Sequence, residues 1–129
     1  MALPDDLLAV LQTKAICFVT TLMPDGAPQI SQTWAGTDGE HVLINTVETH
    51  QKTRNVKRDP RIALGIADPA RPSRYWALRG SVVATTTEGA RENIDELSLR
   101  YLGRPYPGFG GDGQRRLLLT VRVDRIHTP

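Results

Sequence analysis

This chain of 129 residues has few of the residues that cross-link a fold or anchor it in a membrane. It contains one cysteine, Cys17, so no internal disulfide bond can form, and the apolar run at residues 15–19 predicts a buried thiol. No apolar run approaches the roughly 20 residues of a membrane-spanning helix, and the first residues lack the basic start of a signal peptide. We therefore expect a soluble, cytoplasmic protein with one packed domain over residues 1–129.

The sequence also lacks the common signatures of metal, hydrolytic and dinucleotide-binding sites. His41, His50 and His127 are scattered with no paired spacing, so we expect no metal site. There is no Gly-x-Ser-x-Gly nucleophile motif. Residues 108–113 spell Gly-x-Gly-x-x-Gly, but they follow a helix and precede a strand, the reverse of a dinucleotide-binding unit. We interpret residues 104–113 as a mobile loop that could cover a pocket.

The most informative feature that is present is a basic stretch at residues 50–61. It holds five of the 16 Lys and Arg residues and one acid, so the rest of the chain has 11 bases and 13 acids. The net charge of +2 is therefore local. The five bases are Lys52, Arg54, Lys57, Arg58 and Arg61. Such a concentration points to one anionic partner, while a nucleic-acid module usually has a broader basic face.

Alternating hydrophobic patterns predict a mainly β fold with inserted helices. Helices are predicted at residues 3–11, from a cap at Thr49 to a stop before Pro60 with Val56 as its apolar anchor, and at 87–102. Strands are predicted at residues 15–22, 29–34, 41–46, 62–67, 75–84 and 116–123. We expect the first three to form an antiparallel meander and Gly80 to mark a β-bulge. Six antiparallel strands favour a closed or nearly closed barrel, because closure removes exposed sheet edges.

The start of the basic helix has the chemistry of a phosphate site. A strand ending in Asn45 and Thr46 leads into a helix whose first turns carry Lys52 and Thr53, so hydroxyl, N–H and ammonium groups can converge there. A ligand's flat apolar part could then lie along residues 29–34, whose alternate side chains can hydrogen-bond a ring edge.

Three strings carry a resemblance to a known family. They are Asp25-Gly26-x-Pro28-Gln29, Lys52-Thr53-Arg54-Asn55-Val56-Lys57-Arg58-Asp59-Pro60-Arg61, and the Tyr75 strand that ends in Gly80. The combination resembles the pyridoxamine 5'-phosphate oxidase-like split-barrel family, and more closely its actinobacterial branch that uses the deazaflavin coenzyme F-420. The resemblance covers nearly the whole chain and implies a six-stranded antiparallel split β-barrel that forms a homodimer, with cofactor sites at the subunit interface.

The resemblance also implies which residues bind the cofactor. Gln29 and Ser31 would face the ring system, and Tyr75 would lie nearby. The ribityl phosphate end would be held at the start of the basic helix, by Asn45, Thr46, His50, Lys52 and Thr53. The Arg-x-x-x-Lys strand motif with which the vitamin B6 oxidases hold the phosphate of FMN has no counterpart at residues 41–46, so vitamin B6 oxidation is not expected.

The remaining bases of the helix offer an argument for the deazaflavin. Coenzyme F-420 continues past its phosphate into an oligoglutamate tail, and Lys57, Arg58 and Arg61, here called the tail cations, extend positive charge beyond Lys52. FMN has no such tail. The same charges could instead be solvated or form surface ion pairs, each worth at most about 1 kcal/mol.

The leading hypothesis is a coenzyme F-420-dependent reductase that transfers a hydride to an electron-poor double bond of a small organic or quinone-like substrate. The cofactor supplies this chemistry, which fits the absence of a strong acid–base constellation in the sequence. Tyr75 is the candidate proton donor, with water as the default. The alternatives are an FMN-dependent enzyme of the same fold, a non-catalytic flavin or deazaflavin carrier and, further behind, a nucleic-acid binder.

Overall fold

In a computed structural model, which describes residues 1–108 and 113–129, the chain forms one curled antiparallel sheet with three helices. The helices are α1 (Asp5–Val10), α2 (Gln51–Arg58) and α3 (Ala90–Leu102). The strands are β1 (Ile16–Leu22), β2 (Pro28–Thr33), β3 (Ala35–Thr37), β4 (Val42–Val47), β5 (Arg61–Asp68), β6 (Arg71–Thr86) and β7 (Arg116–His127). The mainly β, split-barrel architecture is confirmed. The described residues contain seven strands, whereas the sequence predicted six.

The additional strand changes the predicted topology. The sheet order is β2-β1-β5-β6-β7-β4-β3, so β2 and β3 lie on opposite edges although Trp34 alone separates them in the chain. The sheet must therefore curl until its two edges meet near Trp34. The predicted three-strand meander is wrong beyond its first hairpin, because β4 pairs with β3 and β7 and not with β2.

The edges do not close along their whole length. β3 pairs with Val42 to Ile44 of β4 only, so within the described chain Asn45 to Val47 have a strand neighbour on the β7 side alone. The barrel is consequently split between β2 and the last three residues of β4.

Local signals set several boundaries correctly. Gly26 has a φ of 85° in the turn that joins β1 to β2. Helix α2 ends before Pro60, as predicted, but its N-cap is His50 and not Thr49. The register of β6 against β7 shifts between Arg79 and Gly80, which confirms the predicted bulge. A Cβ atom at Gly80 would lie 1.8 Å from the Arg122 carbonyl oxygen, so the close approach of the two strands requires glycine.

The core fills the inside of the curled sheet. Inward residues of neighbouring strands, such as Val19, Leu64 and Leu119, pack with Leu7 and Leu11 from the α1 region, and all five are nearly inaccessible to solvent. Each buried leucine contributes about 1.5 to 3 kcal/mol relative to exposure. No helix in the described ranges is long and apolar enough to span a membrane.

Individual side chains of β1 and β6 differ in burial. Cys17 is fully buried in the core, as predicted, and burial raises the pKa of its thiol to about 12. Trp76 of β6 is also buried, with 2% of its surface exposed. The even-numbered residues Trp76 and Leu78 of β6 face the core, whereas Tyr75 points outward and is 39% exposed.

Candidate functional site

Helix α2 is held across one end of the barrel by buried polar side chains. The Asn55 amide nitrogen donates to Thr21 Oγ1 of β1 at 3.0 Å, and Thr53 Oγ1 donates to the Val47 carbonyl oxygen of β4 at 2.7 Å. Val56 adds an apolar contact and is 5% exposed. Because buried polar groups are costly when unpaired, these bonds allow little rotation of the helix. They determine which of its cations face the split.

Lys52 is the cation on the inward side of α2. Its Nζ donates to Ser31 Oγ of β2 at 3.5 Å, and no ion pair to Lys52 is present among the described residues. Burial, reinforced by Arg116, lowers the pKa of Lys52, while Cys17 opposes that shift. A half-buried ammonium without a carboxylate is electrostatically suited to an anionic ligand.

The wall opposite Lys52 presents an unsatisfied acceptor. Gln29, Ser31 and Thr33 alternate with exposed residues on β2 and therefore share one face. Gln29 Oε1 is buried and has no hydrogen-bond partner in the described structure. Buried polar atoms of native proteins are usually paired, so this oxygen is positioned to accept a hydrogen bond from a bound group.

The hydroxyl groups at the helix start form an internal chain. Thr53 uses its single proton on Val47, so Thr46 donates to Thr53 Oγ1 across 3.0 Å. Thr46 Oγ1 also lies 3.4 Å from His50 Nδ1. Because the only hydroxyl proton of Thr46 is directed at Thr53, His50 Nδ1 is the donor of this pair. Burial, followed by Lys52 and Arg116, lowers the pKa of His50 and favours its neutral form. Two of the predicted phosphate-binding hydroxyls are thus already committed within the fold.

A cleft of about 510 Å³ adjoins the split. It lies between the start of β1, the end of β2, Asn45 of β4 and helix α3. Among its described lining residues there are two bases and no acid. The lining residues are Lys14, Ala15, Ile16, Cys17, Gln32, Thr33, Trp34, Asn45, Ile94, Leu97, Tyr101, Tyr106 and Arg116.

Aromatic rings and an arginine form one wall of this cleft. Trp34 stacks on Tyr101 with ring centroids 5.1 Å apart and meets Tyr106 edge-on at 6.3 Å. The Arg116 guanidinium carbon lies 5.0 Å from the centre of the Tyr106 ring. Arg116 Nε donates to Asn45 Oδ1 at 2.9 Å, and burial lowers the pKa of Arg116. The combination of a curled, split sheet, an inward lysine and an aromatic cleft is suited to a flat ligand with an anionic end.

Comparison with known proteins identifies the family of this architecture. A family model for pyridoxamine 5'-phosphate oxidase matches residues 3–128. The chain belongs to this family. The pyridoxamine 5'-phosphate oxidase-like fold predicted from the three sequence strings is thereby confirmed.

Solved structures agree with that assignment. This family member is similar to an F-420 reductase, with a TM-score of 0.83 and 28% identity over 97% of this chain and 98% of that one. A conserved hypothetical protein of Mycobacterium tuberculosis matches with a TM-score of 0.74 and 20% identity, over 99% and 84% of the two chains. A putative pyridoxamine 5'-phosphate oxidase of Listeria innocua matches with a TM-score of 0.69 and 19% identity, over 96% and 95%. The last two likenesses show the fold alone.

The structure brings some of the predicted cofactor residues together. Gln29, Ser31, Lys52, Thr46 and Thr53 lie around the split. His50 joins them as the N-cap of α2. Asn45 is nearby but saturated: its amide donates to the Ala90 carbonyl oxygen at 2.6 Å and to Asn93 Oδ1 at 3.1 Å, and its oxygen accepts from Arg116.

The tail cations and Tyr75 lie elsewhere. Lys57 lines a second depression with Glu48 and Arg115, Arg58 donates to the Leu22 carbonyl oxygen, and Arg61 pairs with Asp59 at 2.7 Å. At 100° per residue, Lys57 and Arg58 are turned about 140° and 120° from Lys52 around the helix. Tyr75 is not among the described residues that line the cleft.

Sequence reasoning missed the aromatic and basic wall of the cleft. Tyr101 falls within the helix predicted at residues 87–102, and Tyr106 falls within the loop predicted at residues 104–113. Of that loop, residues 109–112 lie outside the described residues. Arg116 begins an apolar strand directly after Arg115, and this position is the only sequence feature that could have identified it as a candidate site residue. The pairing of Arg116 with Asn45 spans 71 residues and leaves no local pattern.

Proposed function

We propose that this chain is a coenzyme F-420-dependent reductase. In this role it would transfer a hydride from the reduced deazaflavin to an electron-poor double bond of a small organic or quinone-like substrate. The observation that carries the proposal is the half-buried Lys52 ammonium, which faces Ser31 across the split with no carboxylate partner in the described chain. The similarity to a solved F-420 reductase supports the choice of cofactor.

The residues of the split are chemically suited to such a cofactor. Lys52 would hold the phosphate by a charge-assisted hydrogen bond, with His50 at the helix N-terminus beside it. The buried Gln29 Oε1 would accept from a ring N–H, and Ser31 lies on the same face of β2. Thr46 and Thr53 would act by fixing the position of α2, because their own hydrogen bonds are made within the fold. Asn45 would act only indirectly, since its oxygen holds Arg116 in the adjacent cleft.

The reduced deazaflavin, when bound, supplies the hydride. The protein's part is to bind, orient and exclude water. The cleft beside the split is the place for the acceptor, since Trp34 and Tyr101 offer ring surface there. Tyr75 lies outside that cleft within one chain, so water is the proton donor unless a second subunit supplies a Tyr75 side chain.

The proposal includes a homodimer. The outer face of the sheet exposes Phe18 on β1, Ile30 on β2 and Tyr75 on β6, with exposed fractions of 42%, 65% and 39%. The strand register places these three residues on one face of the sheet. Ile30 pairs with Thr20, which is two residues from Phe18 on β1. Phe18 pairs with Gly65, and Gly65 pairs with Ala77, which is two residues from Tyr75 on β6. Exposed apolar surface of this kind is typical of an interface. A second subunit there would bring its own residues towards the cofactor.

The test of the proposal is a titration of the purified protein with three ligands: coenzyme F-420, the same deazaflavin without its tail, and FMN. We expect the deazaflavin to bind at micromolar levels with a change in its fluorescence, and its reduced form to be oxidised on addition of a quinone or enone. Binding of FMN alone would reassign the cofactor. Tight binding without oxidation by any acceptor would favour a carrier.

The role of the tail cations needs a separate measurement. Changing all three to Gln should weaken the tailed deazaflavin while leaving the tail-free one nearly unchanged, and added salt should act in the same direction. A matched control changes three other exposed cations to Gln, namely Arg71, Arg79 and Arg122. The tail contact would be rejected if both triple changes weaken binding of the tailed ligand equally. It would also be rejected if the change of the tail cations weakens binding of the tailed and tail-free ligands equally.

A further inference from the structure

Arg116 is a half-buried cation whose partners within the described chain are neutral. Its Nε donates to Asn45 Oδ1 at 2.9 Å and its Nη1 donates to the Tyr106 hydroxyl at 3.4 Å. The Tyr106 ring adds a cation–π contact. A guanidinium carries five N–H donors, and the bonds seen among the described residues use two of them.

Neutral partners orient a guanidinium without cancelling its charge. An amide oxygen and a phenol hold Arg116 in one place, whereas a carboxylate would have neutralised it. The described lining of the cleft contains Lys14 in addition to Arg116 and no Asp or Glu. The cleft is therefore set up to hold an anionic group.

The other lining groups restrict the shape of a ligand. Trp34 and Tyr101 are stacked within 13° of parallel, and Tyr106 stands at 89° to Trp34. Flat conjugated molecules gain from stacking on or against the edges of such rings. A cleft of about 510 Å³ is large enough for a ligand of two or three fused rings.

We propose that this cleft binds a flat, conjugated molecule that carries an ionised oxygen, with Arg116 as the residue that recognises that oxygen. The cation at Lys52 then serves the cofactor phosphate, and Arg116 serves the acceptor. That the bound molecule is a hydride acceptor rests on the proposed function. Its binding does not, because Trp34, Tyr101 and Arg116 already lie together at the cleft in the described part of one chain.

Two naphthoquinones of similar size test the inference by calorimetry on the ligand-free protein. The 2-hydroxy-1,4-naphthoquinone is ionised at neutral pH, whereas 2-methyl-1,4-naphthoquinone is neutral. We expect the anion to bind about tenfold or more tightly than the neutral quinone, as for a charged hydrogen bond. Arg116→Gln should remove that preference and leave the neutral quinone unchanged, while Arg116→Lys should keep part of it.

Arg115→Gln is the matched control, because Arg115 is adjacent, exposed and paired with Glu48 at 3.2 Å. It removes the same net charge and should leave the preference intact. A wild-type protein without the preference, or an Arg116→Gln protein that retains it, would overturn the inference. If Arg116→Gln does not fold, the pH dependence of wild-type binding decides. Affinity for the hydroxyquinone must fall as its hydroxyl is protonated, and constant affinity would contradict the inference.

A parallel titration separates this inference from the proposed function. Arg116→Gln should leave FMN affinity nearly unchanged, because the flavin ring carries no ionised oxygen at neutral pH. A loss equal to that caused by changing Lys52 would assign Arg116 to the phosphate site and reject the inference. If neither cofactor binds but the naphthoquinone preference holds, the proposed function fails and the anion site stands.

Discussion

Replacing Lys52 by Met should weaken ligand binding and stabilise the empty fold at the same time. The substitution keeps an unbranched side chain of similar length and removes the ammonium that lies 3.5 Å from Ser31 Oγ. If this ammonium contacts a phosphate, its loss removes one hydrogen bond to a charged group, worth about 1.5 to 3 kcal/mol. The dissociation constants of FMN and of both deazaflavins should therefore rise by about 12- to 140-fold.

The stability effect has the opposite sign. Burial and the neighbouring Arg116 lower the pKa of Lys52 from its ordinary value of 10.5, so the folded state disfavours the charged form. We expect Lys52→Met to raise the free energy of unfolding by about 0.5 to 1 kcal/mol, a small gain because Lys52 is only half buried. Function and stability would then compete at this residue.

The pH dependence of that gain can be stated from the direction of the pKa shift. Below the folded pKa of Lys52 both states are protonated, and the charge penalty is fully present. Between the folded pKa and 10.5 the unfolded state binds more protons, so wild-type stability rises with pH. The advantage of Lys52→Met should therefore shrink as pH rises from the folded pKa to 10.5, and it should be lost above 10.5. Urea unfolding of both proteins at neutral and strongly alkaline pH measures the difference.

Lys57→Met is the control, because Lys57 is an exposed lysine on the same helix. It should leave FMN and tail-free deazaflavin binding unchanged and should give no stability gain. Unchanged binding of every ligand by Lys52→Met would remove the phosphate site and, with it, the proposed function. A stability loss of more than about 1 kcal/mol would show that Lys52 supports the fold itself.

Three further predictions follow from burial and packing. Cys17→Ser should destabilise the fold by about 1 to 3 kcal/mol without affecting cofactor binding. The stability of the wild-type protein should fall as pH rises from 9.0 to about 12, because in that range the thiol ionises in the unfolded state but not in the folded state. Gly80→Ala should cost about 3 kcal/mol or more by thermal unfolding, since its Cβ would meet the Arg122 carbonyl oxygen. Ile30→Lys should convert the expected dimer to a monomer by light scattering, whereas Val83→Lys should not; a wild-type monomer near 14.2 kDa would refute the dimer outright.

Where the controlling interaction is local, the sequence predicts the fold well. Pro60 sets the end of α2 because the preceding residue is held out of helical geometry. Gly103 ends α3 in the left-handed conformation. Each of these effects acts within one or two residues, so each can be predicted from the sequence alone.

The sequence does not predict that the chain passes from one edge of the sheet to the other at Trp34. Residues 29–34 alternate like one strand, but the chain leaves β2 at Thr33, and the short β3 begins at Ala35 on the other edge of the sheet. Trp34 between them stacks on Tyr101 of α3, and the Tyr101 hydroxyl donates to the Ala15 carbonyl oxygen. These contacts join residues 67 to 86 positions apart in sequence. Periodicity carries no information about them.

For the basic stretch, too, the sequence composition predicts less than the structure shows. Its five cations stand out as a group in the sequence, yet the structure gives them different surroundings. Arg54 donates to the Thr49 carbonyl oxygen, Arg58 to that of Leu22, and Arg61 forms an ion pair with Asp59. Charge density therefore overstates how many of them are available to a ligand.

What distinguishes Lys52 is its position on α2, not the number of charges around it. Asn55 fixes the rotation of the helix through Thr21, and this turns Lys52 towards Ser31 while Lys57 stays on the exposed side. An exposed cation is stabilised by water and needs no ligand. A half-buried cation that faces only a hydroxyl in the described chain lacks that stabilisation, and a bound anion would restore it. The proposed function thus depends on an unneutralised charge at the split, and the proposed anion site depends on a second one, Arg116, which Asn45 and Tyr106 hold in the cleft beside it.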